Sequence, residues 1–131
     1  MMKKIKKLSS RFLWSFFLLV LVSLLWIHHV EKQAPTIHLG EKSSKTVVFY
    51  RDDCLHCQYV FPYLYYRKLI KNDITLVNLN NPTNRLYITK YKVKSVPTLV
   101  TPNQSRYVSS HLKKIHYLLN SVENEEGVRD E

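Results

Sequence analysis

Hydrophobic residues follow one pattern at the N-terminus of this chain and another through the rest. Residues 12–27 form an apolar run broken by two serines, and the eleven residues before it carry five basic side chains and no acid. Extended to residues 12–30, the run reaches the length of a helix that spans a bilayer. The basic block predicts that residues 1–11 stay in the cytoplasm and that the rest of the chain lies outside.

A cleaved signal peptide is the alternative interpretation of the same segment. Signal peptidase needs small residues at its cleavage site, and residues 25–30 offer none. No cysteine lies near the run to carry a lipid. We therefore expect a retained single-pass anchor in the cell membrane, with an extracellular domain.

Beyond residue 30 the apolar residues come in short groups separated by polar turns. Residues 31–45 predict a stalk, with a short strand at 36–39. The β-branched and aromatic run at 46–50 is typical of a strand buried on both faces. The other predicted elements are a helix at 57–71 kinked by Pro62, strands at 74–79, 97–101 and 106–108, a short helix at 84–91, and a helix that follows Ser109 or Ser110 and ends at residue 122.

This order of strands and helices predicts an α/β domain with a mixed sheet over residues 46–122. Residues 123–131 carry half of the ten acidic side chains and predict an exposed acidic tail.

The two cysteines of the chain lie in the sequence Cys54-Leu55-His56-Cys57, between a predicted strand and a predicted helix. The partial positive charge at a helix N-terminus stabilises the thiolate of the first cysteine. The spacing lets the second sulfur attack a mixed disulfide formed by the first. This pattern indicates a dithiol/disulfide switch that needs no cofactor.

Two other uses of the cysteine pair remain open at this point. A closed zinc site needs about four ligands, and His56, His111 and His116 are poorly spaced to complete one with both sulfurs, so we predict no metal. A purely structural disulfide across two intervening residues would be strained and is seldom used to stabilise a fold.

The charge of the chain limits the classes of partner. The formal net charge is +10, but half of it belongs to the basic block before the apolar run. The rest is modest and scattered, which favours anionic lipid or acidic partners over nucleic acid.

The chain resembles the thioredoxin superfamily in three features. The cysteine pair follows a buried strand, Pro62 lies five residues after Cys57, and Val96-Pro97-Thr98 opens a strand about forty residues later, as the cis-proline of that family does. The resemblance implies a thioredoxin-like three-layer sandwich with a central mixed sheet. It also implies that Cys54 is the nucleophile, Cys57 the resolving thiol, and Val96 with Pro97 the platform for a substrate strand.

The departures from the thioredoxin pattern bear on activity. Asp53 replaces the tryptophan that precedes the first cysteine in thioredoxins, Val48 replaces their buried acid, and the usual first helix is missing. The histidine of Leu55-His56 is similar to that of periplasmic thiol oxidases, where it stabilises the neighbouring thiolate. The resemblance therefore implies that His56 stabilises the thiolate of the neighbouring cysteine. Whether the protein oxidises or reduces its substrates stays open.

The sequence predicts a membrane-anchored, extracytoplasmic thiol–disulfide oxidoreductase. Its expected partners are secreted proteins or peptides that contain cysteine, a membrane redox partner and the membrane itself. The chain is similar to small thioredoxin-like proteins that accompany bacteriocin export. Two alternatives remain: a non-catalytic accessory or immunity-type protein that uses the same fold for binding, and a thiol handler of the metal or haem pathways.

Overall fold

A computed structural model describes residues 2–41 and 43–129 of the chain. It contains two compact units, one that ends at Gln33 and one that begins at Ala34. The first is a single helix, α1 (Met2–Lys32). Its segment Ser10–Lys32 is long and apolar enough to cross a membrane, which agrees with the predicted anchor. A secretion signal has the same length and composition.

The second unit is built on a four-stranded sheet in the order β2-β1-β3-β4. The strands are β1 (Thr46–Tyr50), β2 (Ile74–Asn78), β3 (Thr98–Val100) and β4 (Arg106–Val108). β1 pairs in parallel with β2 and antiparallel with β3, and β3 pairs antiparallel with β4. The sheet is therefore mixed, as predicted, and β1 is buried at every position.

Helices cover both faces of this sheet. They are α2 (Leu55–Lys71), a 3-10 turn at Thr83–Arg85 that continues into α3 (Leu86–Lys90), and α4 (Leu112–Arg129). Alternate residues of β1 point to opposite faces. Tyr50 meets Phe61 of α2 with ring centroids 5.0 Å apart, and Phe49 meets Tyr87 of α3 at 6.4 Å.

The long α2 forms despite an internal proline. Pro62 lies inside the helix, as the sequence predicts, and Asn72 ends it in the left-handed conformation with φ of 53°. Asparagine tolerates that conformation, and its backbone N–H bonds the carbonyl of Lys68. α2 is the crossover that makes β1 and β2 parallel, and it places the residues just after β1 at the helix N-terminus.

The predicted strand at 36–39 is not formed, and that prediction was wrong. Backbone N–H groups of this segment bond to side chains rather than to a neighbouring strand. The N–H of Ile37 donates to Asn84 Oδ1 at 3.0 Å, and the N–H of Leu39 donates to the Tyr87 hydroxyl at 2.8 Å. Ile37 and Leu39 also pack on the core cluster of the α3 face. Residues 34–39 are thus attached to the domain instead of forming a free stalk.

The last helix is longer than predicted. α4 continues through residue 122 to Arg129, so most of the expected acidic tail is helical, and residues 130 and 131 lie outside the described part. Just before α4, the backbone N–H of His111 donates to the Ser109 hydroxyl at 3.1 Å, close to the predicted helix start.

Candidate active site

Cys54 lies at the N-terminus of α2. Its backbone is extended, with φ of −99° and ψ of 115°, and its carbonyl accepts the first helical hydrogen bond, from Gln58 N–H at 2.9 Å. No side chain caps this helix end, so the dipole of a 17-residue helix acts on the sulfur without competition from a capping side chain.

The two cysteines differ in access to solvent. Neither forms a disulfide; Cys54 is half-buried and Cys57 is buried, with 1% of its surface exposed. Cys57 lies one helical turn further along α2, with its side chain on the inner face. Of the two sulfurs, that of Cys54 is the more accessible to solvent, and its role as nucleophile stays a prediction.

The predicted substrate platform lies beside Cys54. The Val96–Pro97 peptide bond is cis, as expected from the resemblance. The Cys54 thiol donates to the Val96 carbonyl at an Sγ–O distance of 3.9 Å, although 42 residues separate them in sequence. The hydroxyl of Thr98 bonds the Ser95 carbonyl at 2.5 Å and fixes the loop that carries the proline.

The residues between the cysteines face solvent. Leu55 is 80% exposed, and His56 is exposed on the first turn of α2. The structure therefore places Cys54, Cys57, Val96 and Pro97 together and leaves His56 at the solvent edge of the same helix end.

The loop before Cys54 is held by a polar network. The Asn80 amide donates to Asp52 and, at 3.1 Å, to Asp53, while its carbonyl oxygen accepts from Arg51 Nε at 3.0 Å. Arg51 also forms an ion pair with Asp53 at 2.7 Å. The hydrogen bonds of Asn80 and Arg51 hold the pKa of the Asp53 carboxyl below its ordinary value. The backbone of the loop is tied to α2 through Gln58 Nε2, which donates to the Asp52 carbonyl at 2.7 Å.

Comparison with known proteins agrees with this geometry. A model of the thioredoxin family matches residues 27–119, more than half of the chain. The chain belongs to the thioredoxin family. No curated protein sequence matches it.

Two solved thioredoxin structures are similar to this family member. Thioredoxin O1 from Arabidopsis thaliana, in its oxidised state, is 20% identical with a TM-score of 0.49, and the match covers 59% of this chain and 75% of that one. Mitochondrial thioredoxin 3 from Saccharomyces cerevisiae, in its oxidised form, is 13% identical with a TM-score of 0.48, and the match covers 75% of this chain and 89% of that one.

The sheet carries a buried apolar side chain at the position where the resemblance to thioredoxins implies an acid. Val48, in the place of the buried acid, is fully buried and pairs with Leu76 and Leu99 in the neighbouring strands. The position is filled by an apolar side chain, so any proton transfer at Cys57 takes place without a carboxylate there.

The sequence did not reveal the role of the asparagines after β2. Asn80 organises the loop before Cys54, and Asn84, fully buried, bonds both the Asn78 carbonyl and the Pro35 carbonyl. In the sequence, only the Asn-rich stretch 78–84 could have indicated these roles, and such a stretch is also typical of an ordinary turn. Across residues 2–41 and 43–129, no group of three or more His, Cys, Asp or Glu side chains is arranged to hold a metal.

Proposed function

We propose that this protein is a membrane-anchored, extracytoplasmic thiol–disulfide oxidoreductase acting on secreted proteins or peptides that contain cysteine. The observation that carries the proposal is the position of the Cys54 thiol. It is half-buried at an uncapped helix N-terminus, 3.9 Å from the Val96 carbonyl, with Cys57 buried one turn away.

The chemistry is two successive thiol–disulfide exchanges. The Cys54 thiolate attacks one sulfur of a substrate disulfide; an S–S bond to the enzyme forms, and the other substrate sulfur leaves as a thiolate and takes a proton. The Cys57 thiolate then attacks Cys54 Sγ, releasing the second substrate thiol. Two electrons pass to the substrate, and a Cys54–Cys57 disulfide remains. The reverse sequence oxidises a substrate dithiol.

The groups around Cys54 serve substrate binding and thiolate stabilisation. The Val96 carbonyl, which accepts from the Cys54 thiol in the free protein, is available to a backbone N–H of an incoming substrate strand. Pro97 has no N–H, so the Val96 carbonyl is the hydrogen-bonding group that this peptide unit offers to a substrate. His56, exposed beside the helix N-terminus, is suited to stabilise a thiolate through solvent.

The location rests on α1. Its apolar segment and the basic residues before it favour an anchor with the N-terminus in the cytoplasm. A membrane redox partner would then renew the dithiol or the disulfide after each turnover. A role in maturing exported bacteriocin peptides is a narrower version of the same proposal.

A non-catalytic binding protein is the second candidate, and Val48 favours it. An apolar residue in place of the buried acid leaves the resolving thiol without that proton acceptor. Such a protein would keep the fold and the Val96 platform but exchange disulfides slowly.

A trapping experiment with the full-length protein in detergent micelles tests the function. Cys57→Ser should hold a disulfide-containing peptide as a stable mixed disulfide through Cys54, visible by mass spectrometry without reductant. Cys54→Ser is the matched control and should trap nothing. Equal trapping by both variants would contradict the assigned roles, and no exchange by the wild type would favour the binding protein.

A protease-protection experiment tests the location. Protease added outside intact cells should remove the domain, while the uncut protein stays at full length in the membrane fraction. A shortened, soluble form would show that α1 is a cleaved signal instead.

A further inference from the structure

Four cationic side chains surround two adjoining cavities on the α3 face of the sheet. The cavities measure about 380 and 330 Å³ and share Lys92 and Arg106 in their linings. Lys90 borders the first cavity, and Lys94 borders the second. We call this depression the basic groove. The only acidic side chain among the described residues that line it is Glu41.

The sheet forms the floor of the basic groove. Val100 pairs with Arg106, and Thr98 with Val108, across the β3–β4 ladder, so these four residues lie on one face of the sheet. α3 ends at Lys90, before it reaches this edge of the sheet. The groove is therefore open between the loop after α3 and strand β4.

The positive charge of the groove is not neutralised within the described part of the chain. None of the four cations forms a salt bridge there, and each side chain is exposed. Arg106 is held in place because its Nη1 donates to the Tyr91 carbonyl at 3.2 Å. Lys92 adopts the left-handed conformation, with φ of 51°, which turns the loop between Lys90 and Lys94.

One end of the basic groove adjoins the cis-proline. Thr98, in the lining of the second cavity, follows Pro97, and the Val96 carbonyl lies 3.9 Å from Cys54 Sγ. A peptide bound at Val96 that continues across the face of the sheet at Thr98 would enter the groove, because both edges of β3 are already paired. Strand β4 is the edge of the sheet, and its three residues are exposed, so its outer backbone groups are also open to an extended chain.

The other side of Cys54 carries less free charge. Asp53 is paired with Arg51, and Asp52 accepts hydrogen bonds from Asn78 and Asn80. Four cations line the groove, against Glu41 within it and the carboxylate of Asp52 on the loop before Cys54, so the balance of charge favours an acidic substrate.

We propose that the basic groove selects disulfide substrates whose cysteine is flanked by acidic residues. The proposal rests on the proposed exchange activity and names its substrate class. Carboxylates a few residues from the attacked cysteine would lie among the four cations. The main gain would be faster productive encounter, because steering by complementary charge acts on the association rate.

Two self-quenched disulfide peptides test the proposal with the full-length protein in micelles of uncharged detergent. The peptides share their cysteine context and differ in four flanking residues, all Asp/Glu or all Lys. With dithiothreitol as the final reductant, we expect the acidic peptide to be reduced about 10-fold faster at low ionic strength. Raising the salt to 0.5 M should largely remove the preference, since the cations are exposed.

A triple variant shows whether the groove is responsible. Lys92→Asn with Lys94→Gln and Arg106→Gln removes three cations, and asparagine suits the left-handed position of residue 92. The matched control removes three exposed lysines that do not line the groove: Lys68→Gln with Lys113→Gln and Lys114→Gln. The groove variant should lose the preference and the control should keep it. Both should reduce the uncharged disulfide 2,2′-dithiodipyridine at the wild-type rate.

The outcomes separate this proposal from the one on which it rests. Reduction of dithiodipyridine without a preference between the peptides would overturn the role of the groove and leave the exchange activity standing. A preference for the basic peptide, or one that survives in the groove variant, would also overturn it. Failure to reduce any of the three disulfides would instead remove the proposed function.

Discussion

The two ends of α2 are each held by an arginine, and the two arginines differ in burial. Arg67, near the C-terminal end, has 5% of its side chain exposed, whereas Arg51, beside the N-terminal end, has 49% exposed. Both contact an aspartate and an asparagine. The comparison indicates that α2 is fixed firmly at the end away from Cys54 and held more weakly at the end that carries it.

The network of Arg67 joins α2 to the start of β2 and to α4. Its Nε and Nη2 donate to Asp73 Oδ2 at 2.8 and 2.5 Å, and its Nη1 donates to Asn120 at 2.7 Å. Burial opposes its charge, but the hydrogen bonds to Asp73 and Tyr63 outweigh burial and raise the pKa of Arg67. Asp73 Oδ1 is buried with no hydrogen-bond partner, so this carboxylate depends on Arg67.

The network of Arg51 has the opposite character. Its ion pair with Asp53 is open to solvent, where water and salt weaken it. Asn80 supplies the connecting hydrogen bonds. Such a network can orient the loop before Cys54 without adding much stability, which leaves the loop free to adjust when a substrate binds.

Removal of Arg67 should have the largest effect on stability. Arg67→Met leaves the Asp73 carboxylate uncompensated in a mostly buried place, and breaking a buried pair costs about 3–5 kcal/mol. We expect about 3 kcal/mol, because Asp73 keeps 23% exposure. Urea unfolding should be followed by near-ultraviolet circular dichroism of the tyrosines, since both tryptophans lie in α1.

Lys71→Met is the matched control for Arg67→Met. Lys71 pairs with Glu123 at 2.6 Å, but both side chains are more than 40% exposed. Its unfolding midpoint should stay at the wild-type value, while the pKa of Glu123, lowered mainly by the hydrogen bond from Lys71, rises. Equal destabilisation by the two variants would show that burial does not set the worth of the ion pairs at this end of α2.

Removal of Asn80 should have a smaller effect at the other end of α2. Asn80→Ala deletes the amide that joins Arg51, Asp52 and Asp53, and we expect a loss of about 1 kcal/mol, the usual net worth of a hydrogen bond. Trapping of a peptide by Cys54 in the Cys57→Ser background should slow at the same time, because the loop before Cys54 is less well ordered. A loss as large as that in Arg67→Met would show that the active-site end is no weaker than the far end.

The loss of stability at low pH should depend on the same hydrogen bonds around Asp53. Asp53 has a folded-state pKa below its ordinary value, so its contribution to stability is present above the ordinary pKa and is lost as the pH falls below about 4. In Asn80→Ala the pKa of Asp53 should rise toward the ordinary value and this part of the acid dependence should shrink. Carboxyl carbon chemical shifts measured against pH check both points.

The grouping of the two cysteines with Val96 and Pro97 could be predicted because its signals are local or carry a fixed spacing. The cysteine pair needs only a strand before it and a helix after it, and Pro97 opens a strand. The network of Arg67 gave no such signal, since Asn120 lies 53 residues away and only the packing of α4 on α2 brings it near. The basic groove was missed for the same reason. Its lysines follow α3 and Arg106 lies in β4, and only the fold brings them to one place.

The segment 36–39 is the opposite case, because a local pattern predicted a strand there that the structure does not contain. Its residues have strand propensity, but the hydrogen bonds that would make it a strand go to Asn84 and Tyr87. Strand propensity predicts the conformation of the backbone but not the group with which that backbone forms hydrogen bonds. A side chain that donates and accepts can take the place of a neighbouring strand, and no short-range pattern distinguishes the two.

Replacement of Arg51 should give the smallest effect and sharpen the comparison most. Arg51→Met removes the exposed ion pair but leaves Asn80 bonded to both aspartates, so the unfolding midpoint should not change measurably. The pKa of Asp53 should rise, but less than in Asn80→Ala, because the Asn80 hydrogen bond is the larger cause of its lowering. Carboxyl chemical shifts of the two variants test this order. A larger rise of the Asp53 pKa in Arg51→Met than in Asn80→Ala would contradict this order. It would mean that the charge of Arg51, rather than the amide of Asn80, holds the loop next to Cys54. The networks of Arg51 and Arg67 would then differ only in burial.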